Sequence, residues 1–389
     1  MRNQKGCYRV LESRLMTRSL LLATLLAVAP TLATAQDPAP VYQQGKQYSV
    51  EVKLDGVLRQ EWTDAITFIA NDRALGRLRP RVEIGVDRFL LGVGADFVYG
   101  SEENTAFLPG LPLLRDNYDS RDARLDLAFV RAQPSGWLRL HAGRFAMPVR
   151  LTEMIWDREL RPQGAALTLE AADRGPFKRL AVTGLGARGS HVFPAGGAFD
   201  FGDRETLWIA SASALAGAGE RATVELLASY VTFGGLDHVD PRLRRQNTRI
   251  AAGGPLAHGY DVVDLVARFN REGRVEVQLV ADYCWNTAVD SANKGVWLAA
   301  VLGSTRNAPA SLEYTFARID PDATLAAFAA DDFLWETGWE GHRADLGFRL
   351  REHYALHGVA QRQRFKDAPR VEDRELWLDR YRVEVRIRY

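Results

Sequence analysis

The chain has 389 residues, with 50 Lys or Arg against 49 Asp or Glu, a formal net charge of +1 and 47% hydrophobic residues. This near-neutral balance argues against nucleic acid as the main partner, because no basic excess is present to neutralise phosphates. The length allows one large domain or two to three ordinary ones.

The first predicted element is an export signal, MTRSLLLATLLAVAPTLATA, from Met16 to Ala35. It combines a positive start, an apolar stretch over residues 20–29 and an Ala-Thr-Ala cleavage site. The apolar stretch covers about ten residues, whereas a membrane-spanning helix needs about 20, so we expect cleavage after Ala35 rather than a membrane anchor. Residues 1–15 resemble an upstream extension, so both Met1 and Met16 are candidates for the first residue of the translated protein.

Cleavage would remove five basic residues and one acidic residue, which changes the formal net charge from +1 to −3. Residues 36–46 then form a short periplasmic leader, and residues 47–389 form one barrel domain. The export signal predicts that the mature chain enters the periplasm, and the strand pattern of the mature chain then favours the outer membrane of a Gram-negative bacterium as its location.

Apolar and polar residues alternate almost everywhere after residue 48, for example over residues 77–86, 124–129 and 275–285. This is the period of a β-strand rather than of a helix. Many runs reach about 10–13 residues, while soluble strands average about 5–6 and transmembrane strands need about 9–11. The pattern therefore favours an all-β, transmembrane antiparallel barrel.

The predicted connections alternate between short and long, and together they separate about sixteen strands. The short links fall at 87–88, 133–136, 173–176, 217–219, 271–273, 304–309 and near residue 352. The long links fall at 62–76, 101–120, 146–163, 190–204, 234–257, 286–294, 320–333 and 366–372. Short periplasmic turns alternating with longer extracellular loops are typical of outer-membrane barrels, and an even strand count places both termini in the periplasm.

The last predicted strand, DRYRVEVRIRY, has one apolar and one ionic face. In lipid a sheet survives only if it closes on itself, so this strand is expected to pair with the first one, near residues 48–61. Tyr381 and Tyr389 would lie about 27 Å apart at about 3.4 Å per residue. That spacing matches an apolar band about 25 Å tall with aromatic residues at both interfaces.

Residues 124–170 resemble the bacterial "putative porin" family of outer-membrane porins and, more distantly, phosphate-selective porins. The motifs that carry the resemblance are LDLAFV at 125–130, GRFAMP at 143–148 and IWDRELRPQGAAL at 155–167. The resemblance implies a porin fold and passive transport, without naming a solute. It also implies that Tyr389 is an assembly signal read by the barrel-assembly machinery, and that the protein forms a homo-oligomer such as a trimer.

The most specific functional hypothesis concerns the third long link, residues 146–163. The resemblance implies that this loop folds into the lumen and sets the pore constriction, and its apolar pieces favour packing against another surface. A solvated surface loop is the alternative. Opposed charges across a narrow pore would order water and select solutes by charge. The predicted constriction residues are Arg150, Glu153, Asp157, Arg158, Glu159 and Arg161.

Arginines on the inward faces of the strands suggest a basic pore wall that would favour anions. Pairing with inward acidic residues is the alternative, so anion preference is only slightly favoured. The predicted wall residues are Arg77, Arg79, Arg81, Arg139, Arg382, Arg386 and Arg388.

Catalysis is not expected, because the seven histidines are scattered and no Gly-x-Ser-x-Gly or His-Glu-x-x-His motif occurs. No metal site or cofactor is predicted. The sequence therefore predicts a water-filled channel for passive diffusion of small hydrophilic solutes or ions through a membrane of outer-membrane lipids. The alternatives are a structural or adhesion barrel with a plugged lumen and, less favoured, a barrel enzyme.

Overall fold

The computed structural model describes residues 42–43, 46–65, 71–100, 105–106, 114–115, 121–188, 205–238, 247–251, 254–329, 333–334, 337–366 and 377–389. The predicted export signal at 1–35 and most of the predicted leader at 36–46 lie outside these residues. None of the described residues forms a helix that is long and apolar enough to cross a membrane.

Within the described residues, sixteen long strands follow one another in antiparallel order. They are β1 (Lys46–Ala65), β2 (Asn71–Val86), β3 (Phe89–Gly100), β4 (Arg121–Ser135), β5 (Leu138–Arg144), β6 (Gln163–Arg174), β7 (Phe177–Arg188), β8 (Thr206–Gly217), β9 (Ala222–Gly234), β10 (Tyr260–Arg271), β11 (Val277–Asn286), β12 (Lys294–Gly303), β13 (Ala310–Ile319), β14 (Trp339–Arg351), β15 (Tyr354–Phe365) and β16 (Trp377–Arg388). Two-residue strands add a pairing of Tyr42–Gln43 with β1 and a small hairpin of Thr105–Ala106 with Leu114–Arg115.

The sheet closes because β16 pairs with β1, in a register that runs from Leu378 opposite Ala65 to Arg388 opposite Asp55. Backbone hydrogen bonds continue one step further, since the N–H of Tyr389 donates to the carbonyl of Leu54 at 2.8 Å. Closure leaves no open edge, which is the condition for a sheet to survive in lipid. The prediction of a sixteen-stranded antiparallel barrel is confirmed.

Burial along the strands is inverted relative to a soluble protein. On β16, Tyr381 and Val383 are exposed, while Arg380, Arg382 and Glu384 between them are buried. The exposed apolar side chains face outward, where lipid covers them, and the charged side chains face the interior of the barrel. The alternation seen in the sequence therefore separates a lipid face from a lumen face.

Short turns lie at one end of the barrel and long connections at the other, as predicted. The turns connect β2 to β3, β4 to β5 and so on to β14 and β15, each within two to six residues. Two non-glycine residues at these turns have positive φ, Asp87 in the β2–β3 turn at 53° and Asp173 near the end of β6 at 50°, a conformation that Asp tolerates better than most residues. The connection between β1 and β2 is shorter than predicted, since the strands extend to Ala65 and resume at Asn71.

The interior is not uniformly ionic. Near the long-connection end, buried apolar side chains from the inward faces of strands between β6 and β16 pack against residues of two connections, at 145–160 in the first and at 323–328 and 333–334 in the second. Phe145, Trp156, Phe328 and Phe333 belong to this internal apolar core. The sequence pattern did not predict that core, because period-two alternation reports which face a residue occupies and not what fills the lumen.

Candidate functional site

The connection between β5 and β6 folds into a compact series of turns. The N–H groups of Ile155 and Trp156 donate to the carbonyl of Thr152 at 3.2 and 3.1 Å. The carboxylate of Asp157 accepts a hydrogen bond from the N–H of Glu159 at 2.7 Å, which closes the next turn locally. These hydrogen bonds satisfy backbone N–H groups in a segment whose side chains are largely buried.

The apolar side of this connection packs on the second one. The indole of Trp156 stacks on Phe328 with ring centroids 5.4 Å apart, and Phe328 in turn stacks on Phe233 of β9 at 5.4 Å. The N–H of Asp157 donates to the carbonyl of Phe328 at 2.8 Å. Residues 320–329 therefore support the connection between β5 and β6 from the side.

Polar contacts join the connection to the strands beneath it. The hydroxyl of Thr152 donates to Asp282 on β11, and Arg268 on β10 donates to the backbone carbonyl of Arg150. The guanidinium of Arg150 pairs with Glu225 on β9 at 2.8 Å, and Arg268 reaches the same carboxylate at 3.4 Å. These ion pairs hold this end of the connection against the lumen faces of β9–β11.

Glu153 links the connection to the opposite part of the wall. Its carboxylate pairs with Arg343 on β14 at 3.1 Å and with Arg158 at 2.7 Å. Arg343 also pairs with Glu313 on β13 at 2.9 Å, and its guanidinium lies 5.2 Å from the ring centroid of Phe333. The side chain of Arg158 is 73% exposed, so its charge is presented to the open part of the lumen.

The far end of the connection contacts β2 through Glu159, which pairs with Arg77 and lies 3.8 Å from Arg79. Behind them, Asp96 on β3 is fully buried and accepts from Arg77 at 2.6 Å. Arg79 and Arg124 approach the same carboxylate at 3.3 and 3.6 Å. One buried acid therefore neutralises part of a dense group of arginines.

Two of the predicted wall arginines of β16 are also paired. Arg382 forms an ion pair with Glu61 across the closing seam of the barrel. Arg386 pairs with Glu384 at 2.8 Å and with Asp345 on β14 at 2.7 Å. The strand order β16–β1–β2 brings these residues and the arginines of β2 onto one continuous stretch of wall.

The other predicted wall residues lie nearer the turn end of the barrel. Arg81 is 3.3 Å from Glu83 on its own strand, and Arg139 on β5 is 3.6 Å from Glu170 on β6. Arg139 is therefore separated from the wall formed by β16, β1 and β2. Arg388 stands exposed at the last position of β16.

An open cavity of about 340 Å³ separates the connection from this stretch of wall. Its lining contains ten arginines and eight Asp or Glu side chains, so charge of both signs surrounds it. The predicted residues that line it are Arg77, Arg79, Arg81, Glu153, Asp157, Arg158, Glu159, Arg161, Arg382, Arg386 and Arg388. Arg150 and Arg139 do not line this cavity.

The sequence-based prediction did not identify several residues of the site. Arg59 and Arg343 line the cavity, while Asp96 and Glu225 organise the arginines around it. Their inward orientation follows from the same alternation that identified Arg77, so a complete listing of inward charges would have found them. The supporting role of residues 320–329 had no such signal, because it depends on contacts with a distant segment.

Two histidines of the described residues make close polar contacts: His357 pairs with Asp345 at 2.7 Å, and His342 contacts the hydroxyl of Tyr314 at 2.7 Å. The imidazole of His357 and the hydroxyl of Ser311 on β13 both lie beside Gly347. No group of three or more His, Cys, Asp or Glu side chains in that part of the chain is arranged to hold a metal ion.

Comparisons with known proteins agree with this architecture. Residues 112–214 match the model of a family described as "Putative porin". A structure of Pseudomonas putida OprB at high pH is similar, with a TM-score of 0.57 and 12% identity over 87% of this chain and 94% of that one. Salmonella typhi OmpF, in complex with daunomycin, has a TM-score of 0.51 and 11% identity over 90% of this chain and 100% of that one. A search of curated protein sequences gives no match.

At these identities the solved structures establish the fold: the chain is a porin-type transmembrane barrel. The match to the family model covers residues 112–214 alone, so it indicates a resemblance to that family over this part of the chain.

Proposed function

We propose that small hydrophilic solutes and ions diffuse passively through an off-centre passage between residues 146–163 and the wall formed by β16, β1 and β2. The observation that carries this proposal is the cavity between them, with arginines and carboxylates on both sides. None of the residues that line this cavity belongs to the internal apolar core, so its charged surface is available to water.

The residues proposed to set the constriction are Glu153, Asp157, Arg158, Glu159 and Arg161, whereas the predicted Arg150 pairs with Glu225 on β9 and does not line the passage. Charges facing one another across a narrow passage create a transverse field, which orders water and discriminates solutes by charge. Arg158 is the most exposed arginine of the group that lines the cavity, and Glu159 faces the arginines of β2. This arrangement supports a constriction between the connection and β2.

A weak preference for anions is proposed from the balance of the lining. The lining itself carries an excess of two positive charges, ten arginines against eight carboxylates, which Glu61 and Asp96 behind it reduce, although Asp96 is also shared with Arg124. A small positive excess would raise the local concentration of anions by less than a fully unpaired arginine row would. The passage is therefore expected to discriminate modestly rather than strictly.

Single-channel recording in planar bilayers tests the proposal. Purified, folded protein should give discrete conductance steps, and a salt gradient should give a reversal potential of the sign expected for modest anion preference. A folded barrel that inserts into the bilayer and passes no current would reject the channel proposal.

A second candidate is a structural or adhesion barrel with a plugged lumen, which the packing of Trp156 against Phe328 favours. The same recording separates the two, since a plugged barrel inserts without conductance. An enzymatic barrel is the remaining alternative, and assays of lipid or peptide hydrolysis in detergent would detect it.

Assembly is proposed to follow the route implied by the family resemblance. The protein is exported through the periplasm after cleavage behind Ala35, inserted by the barrel-assembly machinery with Tyr389 as the signal, and assembled into a homo-oligomer such as a trimer. N-terminal sequencing of the membrane form and its mass in mild detergent test the cleavage site and the oligomeric state.

A further inference from the structure

A serine, a histidine and an aspartate lie close together on the lumen wall of β13–β15. The strand register places Ser311 on β13 opposite Gly347 on β14, and Gly347 opposite His357 on β15. Asp345 is the inward residue of β14 that precedes Gly347, since Leu346 between them is exposed on the lipid face. We call Ser311, His357 and Asp345 the lumen triad.

The imidazole of His357 is held by Asp345. Its Nδ1 atom lies 2.7 Å from Oδ1 of Asp345, and the residue is only 6% exposed. A ring nitrogen beside a carboxylate carries the proton and donates it, so the neutral imidazole keeps a lone pair on Nε2. Arg386 on β16 pairs with Oδ2 of Asp345 at 2.7 Å, which fixes the carboxylate from its other side. Glu384, opposite His357 on β16, pairs instead with Arg59 and Arg386, each at 2.8 Å.

Gly347 leaves an open niche between the hydroxyl of Ser311 and the imidazole of His357. A Cβ atom at position 347 would lie 2.6 Å from Oγ of Ser311 and 2.6 Å from Cε1 of His357. These two atoms are therefore no more than twice that distance apart, and Cε1 is bonded to Nε2. Hydrogen bonds between a nucleophile and its base are often long before substrate binds, so this separation fits a serine with its general base.

The lumen triad is reached from the open cavity beside residues 146–163. Asp345 lines that cavity, together with Glu313 on β13 and Arg386 on β16. Ser311 is half-buried at an inward position of β13, so the exposed part of its side chain faces the lumen. Lipid covers the opposite face of these strands. A substrate therefore reaches the hydroxyl as a dissolved molecule in the lumen rather than as a lipid of the bilayer.

Cations surround the approach to the lumen triad. Arg349 is the next inward residue of β14 after Gly347, it is exposed, and its guanidinium donates to the backbone carbonyl of Arg306 at 3.1 Å. Arg388 is also exposed and lines the cavity at the end of β16. Guanidinium groups recognise carboxylates and phosphates, and a nearby cation stabilises negative charge that develops on a reacting oxygen. These charges favour a substrate that is itself an anion.

We propose that the lumen triad hydrolyses small, water-soluble carboxylic esters that carry a negative charge, as a second activity beside conduction. Oγ of Ser311 attacks the carbonyl carbon of the ester while Nε2 of His357 takes the hydroxyl proton, and Asp345 stabilises the imidazolium. The imidazolium then protonates the departing oxygen, which leaves as an alcohol. Water, deprotonated by the same nitrogen, attacks the acyl-serine, releases the carboxylic acid and restores Ser311. Ester and water thus give alcohol and acid, without a further reactant.

The test uses the full-length folded barrel in detergent, with the acetate ester of a carboxylated hydroxycoumarin as the probe and fluorescence of the released alcohol as the signal. The acetate ester of the uncharged hydroxycoumarin is the comparison substrate. The wild-type protein should hydrolyse the charged ester with a kcat/KM several-fold higher than that of the uncharged ester, and mass spectrometry should find an acetyl group on Ser311 during turnover.

Two results with the wild-type protein would overturn the inference. Hydrolysis no faster than that of heat-unfolded protein would remove the activity, and equal kcat/KM for the two esters would remove the preference for anionic substrates. Neither result bears on the passage, because single-channel conductance is measured separately. A barrel that hydrolyses the ester without conducting would reject the channel and keep the lumen triad.

Variants then locate the activity. Ser311→Ala should lower kcat by about a thousandfold or more and prevent acetylation, with the conductance unchanged. Its matched control is Ser213→Ala, which removes a hydroxyl from a half-buried, inward position on β8 and should leave kcat unchanged. Gly347→Ala keeps the three reactive side chains but places a methyl group in the niche, and it should lower kcat/KM at least tenfold. Full activity of a folded Ser311→Ala variant would overturn the site.

Asp345 acts through His357 and is a positioning residue. Asp345→Asn should lower kcat with little change in KM, because an amide does not hold the imidazole in the required tautomer. Asp345→Glu, which restores the carboxylate, should recover part of kcat. Heat-modifiable gel mobility confirms that each variant is folded. Equal kcat for the Asn and Glu variants would mean that Asp345 serves only the stability of the wall, and it would overturn the assignment of the triad.

Discussion

The indole of Trp156 and the ring of Phe328 stack with centroids 5.4 Å apart and planes only 4° from parallel. The two residues lie 172 positions apart in the sequence, on the two connections that enter the internal apolar core. The stack therefore couples the proposed constriction segment to residues 320–329, and the first prediction follows from it.

Replacing Phe328 with Ala should loosen the constriction segment and raise the single-channel conductance and its noise. Removing a buried aromatic side chain costs about 3–5 kcal/mol where the site cannot collapse, so the thermal unfolding temperature should also fall. Phe348→Ala is a suitable control, because Phe348 faces outward and lies outside the apolar core. Unchanged conductance in the Phe328 variant, with a lowered unfolding temperature, would mean that this packing stabilises the barrel without defining the passage.

Asp96 provides a second prediction. Its buried carboxylate is approached by Arg77, Arg79 and Arg124, so Asp96→Asn would leave these cations less neutralised. The reversal potential should move toward anion preference, and stability should fall by about 3–5 kcal/mol because a buried ion pair is broken from one side. Reversal potentials under a salt gradient and thermal unfolding measure the two effects. A shift toward cations would contradict the placement of these arginines beside the conduction path.

The barrel and its inward arginines could be predicted from sequence because alternation assigns each residue of a strand to one of two faces. The same rule places Arg77 and Arg382 on the lumen side without any knowledge of their partners. It cannot show that Asp96 lies between Arg77 and Arg124, or that Phe328 supports Trp156. Those contacts depend on how loops fill a closed barrel, which local periodicity does not encode.

The third prediction concerns Tyr389 and the folding of the barrel. Its backbone pairs with Leu54, its hydroxyl lies 2.9 Å from that of Tyr354, and its ring stacks on His353 with centroids 4.1 Å apart. Tyr389→Asp would place a charge among these groups at the closing seam and should reduce the yield of folded barrel. Heat-modifiable mobility after expression measures that yield, with Tyr354→Phe as a mild control that removes only a hydroxyl. A normal folded yield for Tyr389→Asp would count against a role in closure or assembly.

The last prediction concerns the charges of the proposed constriction. Arg158 presents a largely exposed cation to the cavity, within reach of passing ions at a Debye length of about 10 Å in 0.1 M salt. Arg158→Gln alone should therefore move the reversal potential toward cation preference, and the double variant of Arg158 and Arg161 should move it further.

Neutralising Glu153, Asp157 and Glu159 should move it the opposite way. Each shift should shrink as salt rises, because screening weakens the interaction of exposed charges. Arg318→Gln is the matched control, since it removes the same charge from the lipid face at the same end of the barrel. If Arg158→Gln and Arg318→Gln gave equal small shifts, the selectivity of the channel would have to arise from the wall of β16, β1 and β2 rather than from residues 146–163.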